Sequence, residues 1–277
     1  MDVIDAFILG LVQGLAEYLP ISSSGHLEIF RQVLGLDLSG AESLQFDVVL
    51  HVATVLSTIV VLWRRFVPLC RDFFGWRTRS EGFPYVWKLL LSAVPVGIVG
   101  VCFKDQIEGF FGGDLKIVGL CLCFTALLLA FAYFFRANPL LRSGGKAYKP
   151  REITWLDAFV IGCSQAIAVL PGLSRSGTTI ATGIMIGDKR ERVAEFSFFM
   201  VIIPILGEAL LDVVKMVHGG DEAVISSVGA MPMIVGFITS FVVGCLACKW
   251  MIDLVSKGKL VWFALYCIAV GVLCICI

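Results

Sequence analysis

The sequence predicts an all-α integral membrane protein with six transmembrane helices and two re-entrant helical hairpins in an inverted-topology repeat. Three observations predict this fold class: the composition, an internal repeat and a set of long apolar stretches. Of the 277 residues, 58% are hydrophobic and only 16% are charged, and the mean hydropathy is +0.91. Soluble domains are about half apolar and about a quarter charged, so this composition indicates a bilayer protein. The net charge of zero gives no reason to expect nucleic acid as a partner.

The internal repeat relates two segments at an offset of 152 residues. Residues 5–25 read DAFILGLVQGLAEYLPISSSG, and residues 157–177 read DAFVIGCSQAIAVLPGLSRSG. Each copy has a short apolar segment, a proline and a turn rich in serine and glycine. Paired, interrupted apolar segments in a hydrophobic protein indicate a binding site at the interface of two repeats. The identical pairs are Asp5/Asp157, Ala6/Ala158, Phe7/Phe159, Gly10/Gly162, Gln13/Gln165, Ala16/Ala168, Ser22/Ser174, Ser24/Ser176 and Gly25/Gly177.

The apolar stretches predict one membrane domain over residues 1–277, with a first repeat over 1–140 and a second over 152–277. A spanning helix needs about 20 largely apolar residues, and six stretches approach that length. The repeated segments, about 3–36 and 157–187, are each divided by a proline into two short arms. We therefore expect them to be re-entrant hairpins, surrounded by protein or a wet cavity. The predicted spans are 46–63, 85–103, 115–135, 193–216, 228–249 and 260–277.

The basic residues predict the orientation. Of the 22 lysines and arginines, 17 fall in four connections: 64–88, 136–151, 189–192 and 249–259. With six spans these connections share one side of the membrane, and the positive-inside rule makes that side cytoplasmic. The first hairpin then enters from outside and the second from the cytoplasm, so the two turns should meet near the middle of the membrane. We expect the connection at 64–84 to be solvated and to have no specific task.

The second turn contains Arg175, an arginine that the span prediction places deep in the membrane. A charge at that depth is costly, so it is expected to face a cavity or a partner. A guanidinium beside several hydroxyls and the N–H groups of a helix start is suited to binding an oxyanion. The alternative is that Arg175 pairs with Glu17 and holds the hairpins together. The two roles are compatible if a substrate or a metal ion displaces one partner of the Arg175–Glu17 pair.

The first turn has no arginine but contains His26 after three serines. Gln13 and Glu17 precede it and, being four residues apart, share one helix face. A carboxylate, an imidazole and hydroxyls around an anion site suit phosphoryl transfer. His26 would act as nucleophile or general acid/base, and Glu17 would bind a divalent cation or polarise the nucleophile. Helix capping is the alternative role for Ser22 or Ser174.

Other candidate residues are expected to be structural. His51 and His218 carry no neighbouring polar motif and are interpreted as structural histidines. Cys245 and Cys248 have the spacing of a metal or redox site, but they lie within a predicted span without a second pair. Buried thiols that pack as small apolar groups are the better interpretation.

These motifs resemble those of the undecaprenyl-diphosphate phosphatase family, also called the bacitracin-resistance proteins. They stand here as Gln13-Gly-Leu-Ala-Glu17, as Pro20 to His26, and as Pro171 to Thr179. The resemblance implies removal of the terminal phosphate of undecaprenyl diphosphate, which recycles the carrier lipid for peptidoglycan synthesis and confers bacitracin resistance. It also implies interdigitated inverted repeats, a divalent cation (Mg²⁺ or Ca²⁺), and a site facing the periplasmic side of the bacterial plasma membrane.

The resemblance also implies roles for individual residues. Many members have a second glutamate where this chain has Gln13, so Glu17 with diphosphate oxygens is the expected metal coordination, with Gln13 as a tentative ligand. The expected catalytic residues are Glu17, Ser23, His26 and Arg175, and the expected diphosphate-binding residues are Ser22, Ser24, Gly25, Ser174, Ser176, Gly177 and Thr179.

Several alternatives stay open at the level of sequence. The attacking group is Ser23, His26 or a water molecule. A transporter or flippase of polyprenyl phosphates is the second interpretation of function, because many transporters have inverted repeats with broken helices. The polyprenyl tail of the substrate should lie against lipid-facing helices among the membrane lipids. A homodimer also stays open, because lipid-facing and partner-facing helix surfaces have similar compositions.

Overall fold

The computed structural model describes residues 1–36, 38, 40–103, 114–137, 150–217 and 228–277. In these ranges the regular structure is helical, and the β-type pairing is limited to an isolated bridge between Arg151 and Asp188. The predicted all-α class is confirmed. The helices described are α1 (Val3–Ala16), α2 (Ser23–Val33), α3 (Gly40–Val61), α4 (Trp63–Phe74), α5 (Gly82–Cys102), α6 (Leu115–Ala137), α7 (Trp155–Ile167), α8 (Arg175–Ile186), α9 (Arg190–Met200), α10 (Ile202–Val217), α11 (Ala230–Ser256) and α12 (Leu260–Cys276).

Four stretches of the described structure are long and apolar enough to cross a membrane. They are α5, residues Leu115–Phe134 of α6, the run Arg190–Leu211 through α9 into α10, and α11. A fifth is added if α3 and α4 form one broken span. The helix α12 is apolar but has only 17 residues. Length and composition therefore support a multi-pass membrane protein with four to five candidate spans, fewer than the six predicted.

The connection predicted at 64–84 begins with a helix instead of a solvated loop. Helix α4 leaves the α3 direction at 90° and has no buried residue. On one side Phe66 stacks on Phe199, with ring centroids 6.4 Å apart. Trp63 and Phe74 are exposed, and Arg64, Arg65 and Arg71 stand on the same helix. An amphipathic helix with aromatic and basic residues is typical of a membrane–water interface.

The first arm of each hairpin packs along a long helix of the other half of the chain. Helix α1 lies along α11, and α7 lies along α5. Close approach is possible because glycine faces backbone in both pairs. A Cβ on Gly10 would lie 2.6 Å from the carbonyl oxygen of Gly236, and one on Gly162 would overlap the backbone of Ser92. Small residues at such interfaces let membrane helices pack closely.

Charged side chains tie the start of α7 to the end of the second hairpin. Arg151 donates to Asp157 over 2.6 Å, and Lys189 donates to Glu152 over 2.6 Å. The hydrogen bond from Lys189 holds the pKa of Glu152 below its usual value. These contacts fix both ends of the second hairpin at one edge of the helix bundle.

Substitution of Gly10 by alanine should destabilise the protein, because the added methyl group would push α1 away from α11. Overpacking of this kind costs about 1–3 kcal/mol. Gly97→Ala is the control, since a Cβ there meets nothing within 4 Å. Thermal unfolding in detergent should show a lower midpoint for Gly10→Ala and an unchanged or higher one for Gly97→Ala. Equal midpoints would contradict the close α1–α11 contact.

Candidate active site

The turn of the first hairpin places Ser23 at the first position of α2. Helix α1 ends at Ala16, and Pro20 prevents the helix from continuing. Ser22 caps α2 by accepting a hydrogen bond from the Gly25 N–H over 3.2 Å. Its φ of +71° lies in the left-handed region, which a non-glycine residue adopts at a cost. The strained cap directs the hydroxyl of Ser23 toward the end of α1.

The second turn caps its helix at the equivalent position, but Ser174 has an ordinary φ of −68° where Ser22 is strained. Ser174 caps α8 by accepting from the Gly177 N–H over 3.0 Å. Gly172 has a φ of +85°, and a Cβ there would lie 2.7 Å from the carbonyl oxygen of Val118. Only glycine combines that backbone angle with so close a contact. Arg175 is therefore the first residue of α8, as Ser23 is of α2.

The two turns touch through reciprocal glycine contacts. A Cβ on Gly25 would lie 3.0 Å from the Cα of Gly172, and one on Gly177 would lie 3.2 Å from the Cβ of Pro20. The two contacts are equivalent at the offset of 152 residues. Both glycines were predicted to bind diphosphate, and in the structure they also allow the two helix starts to approach each other.

Glu17 lies at the centre of the polar contacts between the hairpins. Its Oε1 accepts from Arg175 Nη2 over 3.1 Å. Its Oε2 accepts from Ser23 Oγ over 2.7 Å and from Gln13 Nε2 over 3.0 Å. The Glu17 side chain is only 7% exposed, whereas that of Arg175 is 26% exposed. The Arg175–Glu17 pair considered from the sequence is thus present, and it joins the two hairpins.

His51, expected to be structural, lies beside this carboxylate. Its Nε2 is 3.6 Å from Glu17 Oε2, and its Nδ1 is 2.7 Å from the carbonyl oxygen of Asp47. A carbonyl only accepts, so the Nδ1 hydrogen points to Asp47 and Nε2 is turned to Glu17. The sequence contained no local signal for this, because His51 stands on α3, far from both motifs. His218 lies outside the described residues.

His26 is held away from Glu17 by two other contacts. Its Nδ1 lies 2.8 Å from the carbonyl oxygen of Ser22, and its Nε2 lies 2.8 Å from the hydroxyl of Tyr266. The two rings stack with centroids 5.6 Å apart. Tyr266 was missed from the sequence because it is 240 residues away, on α12. The imidazole therefore connects the cap of α2 to the last helix.

The remaining predicted hydroxyls support the turns. Ser24 Oγ lies 3.4 Å from the capping oxygen of Ser22. Ser176 Oγ donates to the carbonyl of Leu19 over 3.3 Å, which adds a contact between the hairpins. Thr179 Oγ1 donates to the carbonyl of Arg175 over 2.9 Å. These hydroxyls hold the backbone around Ser23 and Arg175 in place.

A small, partly open cavity of about 20 Å³ lies against the Glu17–Arg175 pair. Its polar lining comes from both halves of the chain. Besides Glu17 and Arg175, that lining consists of Tyr18, Thr54, Thr58, Gln165, Ser176, Thr179 and Ser197. This lining combines a cation, a carboxylate and hydroxyls with an apolar wall, a chemistry that suits an anionic group. The space itself holds little more than one water molecule, so a larger group would have to widen it.

The described residues contain no group of three histidine, cysteine or acidic side chains placed to hold a metal ion. Two oxygen-bearing side chains nevertheless fit a hard cation. The carboxylate of Glu17 is one, and the buried Oε1 of Gln13, which has no hydrogen-bond partner, is the other. Magnesium commonly binds one or two protein oxygens together with substrate phosphate. Cys245 and Cys248 are free thiols.

Comparisons with known proteins agree with the motifs. Residues 6–273 match the family described as bacitracin resistance protein BacA. The undecaprenyl-diphosphatase of Bacteroides fragilis is 52% identical over 275 residues, which cover 99% of this chain and 98% of that protein. The one from Bacteroides thetaiotaomicron is 52% identical over 274 residues, covering 98% and 97%. That of Methanobrevibacter smithii is 36% identical over 289 residues, covering 99% and 96%. This chain therefore belongs to the bacitracin resistance protein BacA family.

Proposed function

We propose that this chain is a membrane phosphatase that hydrolyses undecaprenyl diphosphate to undecaprenyl phosphate and inorganic phosphate. Full-length relatives that bear the name undecaprenyl-diphosphatase support the substrate. The observation that carries the proposal is the contact of one carboxylate, Glu17, with the Ser23 hydroxyl and with the Arg175 guanidinium. Of these three residues, Glu17 and Arg175 line the cavity. Recycling of the carrier lipid for peptidoglycan synthesis, and with it bacitracin resistance, would follow from this activity.

The proposal includes the finer architecture predicted from the sequence. In it, α1–α2 and α7–α8 are re-entrant hairpins that enter from opposite sides, and six spans surround them. The equivalent caps at Ser22 and Ser174 support this architecture. So does the packing of the first arm of each hairpin along a helix of the other half, α1 along α11 and α7 along α5. The distribution of basic residues supports these directions of entry. The resemblance to the family implies a site that opens to the periplasmic side of the plasma membrane.

Ser23 is the nucleophile in this proposal. Its hydroxyl already donates to Glu17 over 2.7 Å, which is the geometry of a nucleophile with its general base. The Ser23 oxygen attacks the terminal phosphorus, its proton passes to Glu17, and the bond to the bridging oxygen breaks. Undecaprenyl phosphate leaves. A water molecule then attacks the phosphorus of the phosphoserine, and the bond from phosphorus to the Ser23 oxygen breaks. This step releases inorganic phosphate and regenerates Ser23.

His26 is less suited to the attack. Both of its ring nitrogens have partners, Ser22 and Tyr266. We propose that it holds the cap of α2 and, through Nε2, exchanges a proton with the leaving oxygen once substrate displaces Tyr266. A structure with substrate bound would test this role, because Nε2 of the imidazole should then face the leaving oxygen instead of Tyr266.

Arg175 and the two helix starts neutralise the charge that the phosphoryl group carries in the transition state. Phosphoryl transfer depends mainly on such positioning and electrostatic stabilisation. The guanidinium is bound to Glu17 in the structure and partly exposed, so in this proposal it exchanges Glu17 for phosphate as the cavity widens around the substrate. Glu17 then becomes available as the base.

We propose that Glu17 and Gln13 hold a divalent cation, Mg²⁺ or Ca²⁺, together with oxygens of the diphosphate. When bound, such a cation neutralises phosphate charge and supports departure of the leaving group. Glu17 cannot give all of its lone pairs to Ser23, Arg175 and Gln13 while it also binds a cation. Binding of a cation by Glu17 would therefore favour release of Arg175 from Glu17 to the substrate.

Transport of polyprenyl phosphates, the second interpretation, does not need a hydroxyl bound to a carboxylate. A carrier would use the arginine and the helix starts to bind the head group, and Ser23 would only cap or solvate. The hydrogen bond between Ser23 and Glu17 favours chemistry over transport.

Removal of either member of the central ion pair should abolish most of the activity. Arg175→Ala and Glu17→Gln should each lower phosphate release from a polyprenyl diphosphate by about 10²- to 10³-fold, because each removes a charge that acts in the transition state. A colorimetric phosphate assay on protein purified in detergent, with Mg²⁺ or Ca²⁺ present, measures this. Lys257→Ala is the control, since that side chain forms an exposed pair with Asp253. Near-normal turnover in either site variant would refute its assigned role.

A covalent intermediate should form on Ser23 and nowhere else. Substrate labelled in its terminal phosphate, quenched with acid during turnover, should leave an acid-stable label on the protein. Ser23→Ala should lose the label and at least about 10³-fold in turnover, because the nucleophile is gone. His26→Gln should turn over slowly but still acquire the label. A label that persists in Ser23→Ala after a parallel quench at alkaline pH, and that acid removes, would identify His26 as the nucleophile instead.

A further inference from the structure

A buried amide in the second repeat has no partner in the structure. Gln165, on α7, has no exposed surface, and neither its Oε1 nor its Nε2 has a hydrogen-bond partner. Burial of an amide without hydrogen bonds is unfavourable, and each such group in a folded protein requires an explanation. The position of Gln165 supplies an explanation for the unpaired amide, because Gln165 lines the same cavity as Glu17 and Arg175.

The equivalent residue of the first repeat shows what is missing. Gln13, 152 residues earlier, is also fully buried, and its Nε2 donates to Glu17 one helical turn later. At the position that corresponds to Glu17, the second repeat has Val169. The amide nitrogen of Gln165 therefore has no carboxylate one helical turn later, where Gln13 has Glu17. It stays available to a group that enters the cavity.

Other donors that line the cavity are already engaged. The hydroxyl of Tyr18 donates to the carbonyl of Thr54 over 2.7 Å, and that of Thr179 donates to the carbonyl of Arg175 over 2.9 Å. The hydrogen of Ser176 points to the carbonyl of Leu19. Gln165 thus brings two uncommitted N–H groups to a cavity whose charged donor is Arg175.

We propose that Gln165 is a further diphosphate-binding residue, whose Nε2 donates to a phosphate oxygen while Arg175 binds the same group. The assignment rests on the proposed function. Oxygens of a diphosphate only accept hydrogen bonds, so an amide nitrogen is a matched partner. A neutral donor also binds the anion without adding a second cation that would compete with Arg175 for Glu17. The amide is held unpaired until substrate arrives.

Gln165→Leu tests the assignment, because leucine has a similar size and no polar atoms. We expect the variant to lose about ten- to a hundredfold in kcat/KM for a polyprenyl diphosphate, mainly through a higher KM, since a hydrogen bond to a charged group is lost. Its thermal unfolding midpoint should stay equal or rise by about 2 °C, because the unpaired buried amide is gone. Gln165→Met serves as a second variant if leucine does not fold. Ser164→Ala is the control, since Ser164 donates to the carbonyl of Ile161 on its own helix.

A binding measurement separates this assignment from the proposed function. Inorganic pyrophosphate with Mg²⁺ should raise the unfolding midpoint of the unaltered protein, and the rise should be smaller in Gln165→Leu. If the unaltered protein releases no phosphate from substrate, the proposed function fails, and the pyrophosphate shift alone decides on Gln165. If the protein is active and Gln165→Leu keeps both kcat/KM and the shift, the assignment is wrong. A lowered midpoint together with lost activity would make Gln165 structural and would also overturn it.

Discussion

The ion pair between Glu17 and Arg175 is the interaction on which the site depends. Taking two charges out of water is costly, and their attraction repays the cost only when other hydrogen bonds complete the arrangement. Glu17 meets that condition, since it also accepts from Ser23 and Gln13. Arg175 meets it less fully and is partly exposed. The guanidinium therefore has capacity for a second anion, which the proposed function assigns to phosphate.

The ion pair requires the two turns to lie close together, and backbone geometry provides this. Gly25 faces Gly172, and Gly177 faces Pro20, at separations that a side chain on either glycine would disturb. The same principle acts further out, where Gly119 faces Gly271 between α6 and α12. Since Gly119 and Gly271 are also 152 residues apart, the close contacts follow the repeat through the helices. Small residues at equivalent positions thus bring together the two helix starts that present Ser23 and Arg175.

Local motifs predicted the residues that the two turns bring together, Glu17, Ser23 and Arg175, whereas contacts between distant helices did not emerge from the sequence. The breaks at Pro20 and Pro171 predicted hairpin arms whose ends lie within a few residues of the helices. His51 and Tyr266 were missed because they reach the site through packing, not through sequence spacing. The helix α4, which leaves α3 at 90°, was missed because Arg64 and Arg65 end the apolar stretch and Pro68 argues against a helix. Hydropathy reports how apolar a segment is and carries no information about its direction.

The two repeats share a scaffold but have divided the chemistry between them. At the first position of the helix after each cap, one repeat has Ser23 and the other has Arg175. One helical turn after each glutamine, one has Glu17 and the other Val169. A symmetric pair of carboxylates would repel each other in the cavity, and a symmetric pair of arginines would lack a base. Because each half supplies what the other lacks, the pairing of unlike groups across the pseudo-symmetry both stabilises the interface and produces a site that can accept an anion and activate a hydroxyl.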